Sequence, residues 1–224
     1  MKQSLFPRRN ERKRPLVNIL TTLNDYKKEE NHKMEGINLT KGENARLPDS
    51  VTTYTIGLGC DPQDAAGGQF DLDAAAFMIN KAGKMPDKDH FVYYHNLRSR
   101  CGAVIHQGDN RTGQGDGDDE QIVINLASLS PSIEKLILCA SIYEAETRKQ
   151  NFGQVDNAYI RICEGTVGKT SGTPVVRYNL QEDYAKATAI VFGEIYRYEG
   201  GWKFRAVGKG YQGGFSTLLG HYKS

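Results

Sequence analysis

The chain has 224 residues, of which 38% are hydrophobic and 25% are charged. A chain of this length and composition buries a substantial core, which excludes a protein that is disordered throughout. No run approaches the roughly eighteen apolar residues of a transmembrane helix, and the N-terminus lacks the apolar segment of a secretory signal, so we expect a cytoplasmic protein.

The basic residues are concentrated at the N-terminus. Residues 1–35 carry nine Lys or Arg against five Asp or Glu, whereas residues 36–224 carry twenty against twenty-two. Four apolar residues of the first segment recur at helical spacing, namely Leu16, Ile19, Leu20 and Leu23. We predict a basic extension over 1–35, followed by one domain over 36–224. The extension is either a partly helical segment that docks on a partner or an anionic membrane, or a solvated tail.

From residue 36 onward the hydrophobic pattern is that of half-buried β-strands. Large apolar residues alternate with small or polar ones at 53–58, 121–126 and 202–207. Glycines at 200 and 201 predict a hairpin turn, and a second bend is expected at 81–83. Many short strands separated by turn signals favour an all-β fold, an antiparallel β-sandwich. The candidates for its few short helical turns are 131–135 and 180–189.

The most distinctive segment is an acidic, glycine-rich loop at 108–120, which we call the acidic loop. It holds five carboxylates and four glycines directly before a predicted strand. Two carboxylates about 4 Å apart repel by roughly 1 kcal/mol in water unless a cation joins them. Ligand sets made of oxygen alone suit Ca²⁺ or Mg²⁺ rather than zinc or copper. The predicted ligands are Asp109, Asp116 and Asp118, followed by Asn110, Asp119 and Glu120. The alternative is a solvated acidic turn.

A second acidic pair, Asp71 and Asp73, has the i, i+2 spacing that puts both carboxylates on one side of an extended chain. Upstream, Asp61 ends another predicted strand and is a marginal ligand candidate. Two or three such segments at one end of a sandwich would share a site for two cations. A pair of this kind is also common in capped turns, and that alternative stays open.

Other chemistry finds little support. The five histidines form no cluster, His95 and His106 are expected to be structural, and no hydrolase nucleophile motif is present. The four cysteines include no CxxC pair, and Cys139 and Cys163 lie within apolar runs typical of buried thiols. Core packing explains the aromatic residues, so no nucleic-acid partner is expected. The remaining enzymatic alternative is a phosphoesterase that uses the same carboxylates around Mg²⁺ to activate water.

Several segments resemble the TerD family of tellurium-resistance and stress-response proteins over about residues 36–222. They are Gly57-Leu58-Gly59, Phe70-Asp71-Leu72-Asp73-Ala74, the acidic loop, Gln150-Asn151-Phe152-Gly153-Gln154-Val155, Asn157-Ala158-Tyr159-Ile160-Arg161 and the segment 200–208. Cys60 and His95 stand where the family usually has Trp and Asn.

The resemblance implies a β-sandwich that binds two Ca²⁺ ions through acidic loops at one end, with no established enzymatic reaction. It also implies partners among other tellurite-resistance and stress proteins, membrane-associated ones included. We therefore expect a Ca²⁺-binding, non-catalytic module that signals or assembles in such a response.

Overall fold

The computed structural model describes residues 36–62, 70–108, 117–168, 170–182 and 184–224. These residues form two six-stranded sheets, which confirms the predicted all-β sandwich. The strands are β1 Ile37–Leu39, β2 Asn44–Arg46, β3 Thr53–Pro62, β4 Leu72–Asn80, β5 Phe91–Val92, β6 Val104–His106, β7 Glu120–Asn125, β8 Ile133–Ile142, β9 Val155–Glu164, β10 Pro174–Asn179, β11 Ala189–Tyr198 and β12 Gly201–Tyr211. The helices among these residues are α1 Ala145–Arg148 and α2 Gly214–Tyr222, with 3-10 turns at Lys88–His90, Leu126–Ser128 and Phe152–Gln154.

Sheet A has the strand order β1-β10-β9-β3-β7-β6, and sheet B has the order β2-β12-β11-β8-β4-β5. Neighbouring strands run antiparallel except β1 and β10, which are parallel. The predicted hairpin is formed by β11 and β12, and Glu199 and Gly200 at its turn both have positive φ, 46° and 77°. Two positive φ values match the type I′ turn, whose twist suits antiparallel strands.

The main core lies between the sheets. Tyr54, Ile56 and Leu58 of β3 are all fully buried, as their alternation predicts. The prediction that this strand is only half-buried is wrong, because Thr55 on the opposite face is also 0% exposed. Its hydroxyl donates to the carbonyl of Gly165 at 2.7 Å. The same hydroxyl accepts from the backbone N–H of Val167 at 3.2 Å, so the chain that follows β9 covers Thr55 on the outer face of β3.

Residues 131–135 do not form the predicted helical turn, since β8 begins at Ile133. A register irregularity in the pairing with β4 lies here, where Ile79 faces Lys135 and Asn80 faces Ile133. An irregularity of this kind places the buried Ile133 and Leu136 three residues apart, which is helical spacing in the sequence. The bulge therefore gives this strand the spacing of apolar residues that is typical of one helical turn.

Residues 180–182 and 184–189 are not helical either, although the sequence predicted a helical turn over 180–189. Tyr184 is buried there and donates to the carbonyl of Gly208 at 3.0 Å, so a loop packs across β12. The longer helix is instead α2, which buries Leu218 against the outer face of sheet B. Glycines at 213, 214 and 220 weaken the intrinsic helix propensity of this segment, and packing compensates. Among the described residues no helix is both long and apolar enough to cross a membrane.

Candidate metal centre

The acidic loop leads directly into β7, and its last three carboxylates are buried. Asp118, Asp119 and Glu120 are 3%, 4% and 0% exposed. Burial of a charged carboxylate is costly unless donors or a cation compensate it. The predicted ligands Asp109, Asn110 and Asp116 lie outside the described residues.

Glu120 joins sheet A to the second acidic segment on sheet B. Its Oε2 accepts a hydrogen bond from the backbone N–H of Ala74 at 2.9 Å. Asp71 and Asp73 stand just before Ala74, and both are buried. Asp73 also borders a surface cavity of about 400 Å³ near the start of α2. The two segments that the sequence assigned to one site are therefore adjacent in the fold.

Asp119 contacts the third acidic segment. Its Oδ2 accepts from the backbone N–H of Cys60 on β3 at 2.9 Å. Burial, reinforced by the charges of Asp119 and Asp61, raises the pKa of the Cys60 thiol well above its ordinary value. Asp61 itself is exposed and accepts from the Asn157 side chain at 2.8 Å. Asp119 therefore anchors the end of the acidic loop to the strand that carries this marginal candidate.

Asp118 is occupied by donors of the protein itself. Arg161 on β9 donates through Nε to Oδ1 at 2.7 Å and through Nη2 to Oδ2 at 2.8 Å. Tyr159 donates to Oδ1 at 2.9 Å, and Gln121 donates to Oδ2 at 2.8 Å. Two bonds to each oxygen fill the acceptor capacity of an ionised carboxylate. This predicted ligand is therefore held in a buried ion pair, in which the side chains of Asp118 and Arg161 are 0% and 8% exposed.

The rest of the Arg161 guanidinium binds backbone carbonyls in the loop that follows β9. Nη1 donates to the carbonyls of Ser171 at 2.9 Å and Gly172 at 3.1 Å, and Nη2 donates to Gly168 at 3.2 Å. All five guanidinium N–H groups are thus used. Hydrogen bonding to Asp118 raises the pKa of Arg161 above its ordinary value.

Two features allow this pair to form. Gly57 of β3 lies directly under the Asp118 carboxylate, and a Cβ at that position would overlap all three carboxylate atoms. Arg161 reaches across from β9, where its own strand neighbours Ile160 and Ile162 point into the core. The sequence prediction missed Arg161, because a charged residue between two buried isoleucines has the ordinary pattern of a strand with one face in solvent.

His106 is a further neighbour that the sequence did not associate with the site. Its Nε2 lies 2.8 Å from Oε2 of Glu120, and both side chains are fully buried. Its Nδ1 accepts from the backbone N–H of Gly108 at 3.2 Å, whereas its Nε2, although close to Glu120, has no hydrogen-bond partner among the described residues. The base of the acidic loop is therefore fixed at Gly108 as well as at Asp118.

The donor set determines what this end of the sandwich could hold. Within the described ranges, no group of three or more His, Cys, Asp or Glu side chains is arranged to hold a metal ion. Carboxylates of Asp71, Asp73, Asp119 and Glu120 suit a hard cation by their chemistry. Asp118 does not fit as a ligand in this arrangement, because every lone pair already has a protein donor.

The chain is similar in sequence to a known family. A model of the TerD domain matches residues 34–222. The tellurium resistance protein TerD of Serratia marcescens is 44% identical over 189 residues, covering 83% of this chain and 96% of that protein. General stress protein 16U of Bacillus subtilis (strain 168) is 41% identical over 190 residues, covering 83% and 96%.

A crystal structure gives the same likeness in three dimensions. It is that of a Streptomyces coelicolor A3(2) homologue of telluride resistance protein TerD, with a TM-score of 0.60 and 23% identity, covering 78% of this chain and 99% of that one. At this identity the likeness concerns the fold, whereas the family model and the closer sequences extend it to the family. The chain belongs to the TerD family of tellurium-resistance and general stress-response proteins.

Proposed function

We propose that this protein binds Ca²⁺ at the end of the sandwich where the acidic loop enters β7. The observation that carries the proposal is the hydrogen bond from Ala74 N–H to Glu120, which joins the acidic loop to the segment that holds Asp71 and Asp73. The proposed ligands are Asp71, Asp73, Asp119 and Glu120, with Asp109, Asn110 and Asp116 added from the sequence prediction. This set omits Asp118.

Several features favour Ca²⁺ over Mg²⁺. Mg²⁺ requires a small octahedral shell and usually keeps several waters, whereas Ca²⁺ accepts six to eight oxygens in flexible geometry. The acidic loop and the 71–73 segment together offer many protein oxygens and four loop glycines. We retain the expectation of two ions, which rests on the family resemblance.

The proposed role is non-catalytic. A cation wrapped in protein oxygens has few open positions for a substrate, and no nucleophile pattern accompanies the carboxylates. Named relatives act in tellurium resistance or in the general stress response. We propose a cytoplasmic module that signals or assembles with other proteins of that response, and the 1–35 extension is its candidate docking segment. Metal-dependent phosphoester hydrolysis is the alternative function.

Calorimetric titration and thermal unfolding test the Ca²⁺ proposal together. Ca²⁺ at a hundredfold excess over its Kd stabilises a protein by about 2.7 kcal/mol. For a domain of 150–250 residues this raises Tm by roughly 5–11 °C. We expect the increase with Ca²⁺, its reversal by EDTA, and a smaller effect of Mg²⁺.

A matched pair of variants locates the site. Asp73→Asn is nearly isosteric and should reduce the number or affinity of bound Ca²⁺ ions. Asp49→Asn also removes one carboxylate, but its side chain is 63% exposed and pairs with Arg46 on the surface, so it should bind Ca²⁺ unchanged. If the unmodified protein takes up no Ca²⁺, and neither Ca²⁺ nor EDTA changes its Tm, the acidic loop is a solvated acidic turn and not a metal site.

A further inference from the structure

The ion pair between Asp118 and Arg161 separates one acid of the acidic loop from its two neighbours. Asp118 turns to Arg161 on β9, Asp119 turns to the backbone of Cys60 on β3, and Glu120 turns to the backbone of Ala74 on β4. Three consecutive carboxylates thus contact three different strands. Their directions are fixed before any cation is considered.

We propose that Arg161 is a positioning residue of the metal site. In this proposal Asp118 is an anchor, a side chain that fixes the end of the acidic loop to Arg161, and it is not a metal ligand. The ligand part of this inference rests on the proposed Ca²⁺ function. Arg161 holds Asp118 over Gly57. Because Asp119 and Glu120 follow Asp118 directly in the chain, the position of Asp118 sets the directions in which their side chains point. Metal affinity therefore depends on a residue that touches no metal.

The geometry favours Asp118 as an anchor over Asp118 as a reserve ligand, which would leave Arg161 in order to bind a cation. Release of Asp118 to a cation would break its ion pair with Arg161, in which the two side chains are 0% and 8% exposed. Breaking a buried pair in this way is strongly unfavourable. Release would also cost the bonds from Tyr159 and Gln121, which belong to β9 and β7.

Arg161 also connects the acidic loop to the loop that follows β9. Its Nη1 and Nη2 groups donate to carbonyls at 168, 171 and 172, while Nε and Nη2 hold Asp118. Lysine at this position would keep the charge but lose the planar fork that serves both loops at once. Arg161→Lys is therefore the conservative variant that isolates geometry from charge.

The first experiment needs no metal. Amide hydrogen exchange is measured over residues 117–121 in EDTA for the unmodified full chain, Arg161→Lys and Arg197→Lys. Arg197 is the matched control, because it is a half-buried arginine that donates to backbone carbonyls at 130 and 133, outside the site. Exchange that rises at 117–121 in Arg161→Lys alone supports the anchor. Equal exchange in all three proteins refutes it, whatever the protein does with Ca²⁺.

The second experiment titrates Ca²⁺ by calorimetry into the unmodified chain, Arg161→Gln, Arg161→Lys and Asp118→Asn. Loss of a group that orients metal ligands typically weakens metal affinity 10- to 100-fold. We expect both Arg161 variants to bind about tenfold or more weakly with the stoichiometry unchanged, and Asp118→Asn to bind the same number of ions. A reserve ligand predicts the opposite sign, since removal of the competing guanidinium would tighten binding.

The outcomes separate the two proposals. Tighter or unchanged affinity in Arg161→Gln, or one ion fewer in Asp118→Asn, overturns this inference while Ca²⁺ binding stands. If the unmodified chain binds no Ca²⁺, the proposed function is overturned, and so is the inference that Arg161 positions metal ligands. The exchange experiment then still decides whether Arg161 and Asp118 fix the end of the acidic loop. If a single variant fails to fold, the double variant Asp118→Asn with Arg161→Gln leaves no unpaired buried charge and is measured in its place.

Discussion

Replacement of Gly57 by alanine tests the packing under the Asp118 carboxylate. An added Cβ would overlap the carboxylate carbon and both of its oxygens. The neighbouring β3 backbone cannot retreat, because it is paired on both sides, with β7 and with β9. The carboxylate must therefore move away from Arg161. Gly57 has no positive φ, so backbone strain does not contribute.

The expected magnitude follows from two opposing terms. Disruption of a buried ion pair costs about 3–5 kcal/mol. Alanine in place of glycine within a strand returns about 0.5–1 kcal/mol, because it restricts the unfolded chain. The net loss of stability is about 2–4.5 kcal/mol, or roughly 4–18 °C in Tm for a domain of this size.

Urea and thermal unfolding measure this loss, with fluorescence of Trp202, the single tryptophan, as the probe. Gly220→Ala is the matched control, since nothing lies within 4 Å of its added Cβ and it stands in α2. The control should be neutral or slightly stabilising. A Gly57→Ala protein within about 0.5 kcal/mol of the unmodified chain would show that the carboxylate does not occupy the position described.

Three further outcomes are expected. Burial raises the pKa of the Cys139 thiol and of the Tyr54 and Tyr222 hydroxyls above their ordinary values of 9.0 and 10.0. As the pH rises, the unfolded chain therefore loses these protons before the folded protein does. The stability measured in urea should be fully present below about pH 9 and should fall above it. Removal of residues 1–33 should leave a folded domain that binds Ca²⁺ with unchanged stoichiometry, because the TerD match begins at residue 34; a truncated chain that aggregates or fails to fold would place the extension in the core. Purified protein should not hydrolyse phosphomonoesters, phosphodiesters or nucleotides with Ca²⁺, Mg²⁺ or Mn²⁺; turnover that disappears in Asp73→Asn would favour the phosphoesterase alternative.

The sequence predicted the sandwich because its signals are local. Alternation at Tyr54, Ile56 and Leu58 and glycines at the β11–β12 turn each specify their own element. The helix predictions failed where long-range packing dominates. The bulge in β8 produced helical spacing in a strand, and α2 forms despite its glycines because the outer face of sheet B supplies an apolar surface.

For the site, the sequence identified which acids are unusual but not what each one does. The structure places Asp119 and Glu120 beside two strands whose acidic residues the sequence had already marked. The structure pairs Asp118 with Arg161, which is 43 residues away in the sequence. The order of strands in sheet A brings the two side chains together. No local pattern contains that pairing, since it depends on β3 lying between β7 and β9 with a glycine at the crossing point.

The pairing also resolves a physical conflict in the acidic loop. Five carboxylates in thirteen residues attract a cation but repel one another, by roughly 4 kcal/mol for each pair at 4 Å and an effective dielectric of 20. The positive charge of Arg161 compensates that of Asp118, and its fork fixes the point at which the acidic loop joins β7. In the proposed function the other acids remain available to the cation, and Arg161 offsets the part of the repulsion that involves Asp118. Arg161→Gln should therefore lower both the stability without metal and the affinity for Ca²⁺, a combination that loss of a simple ligand does not produce.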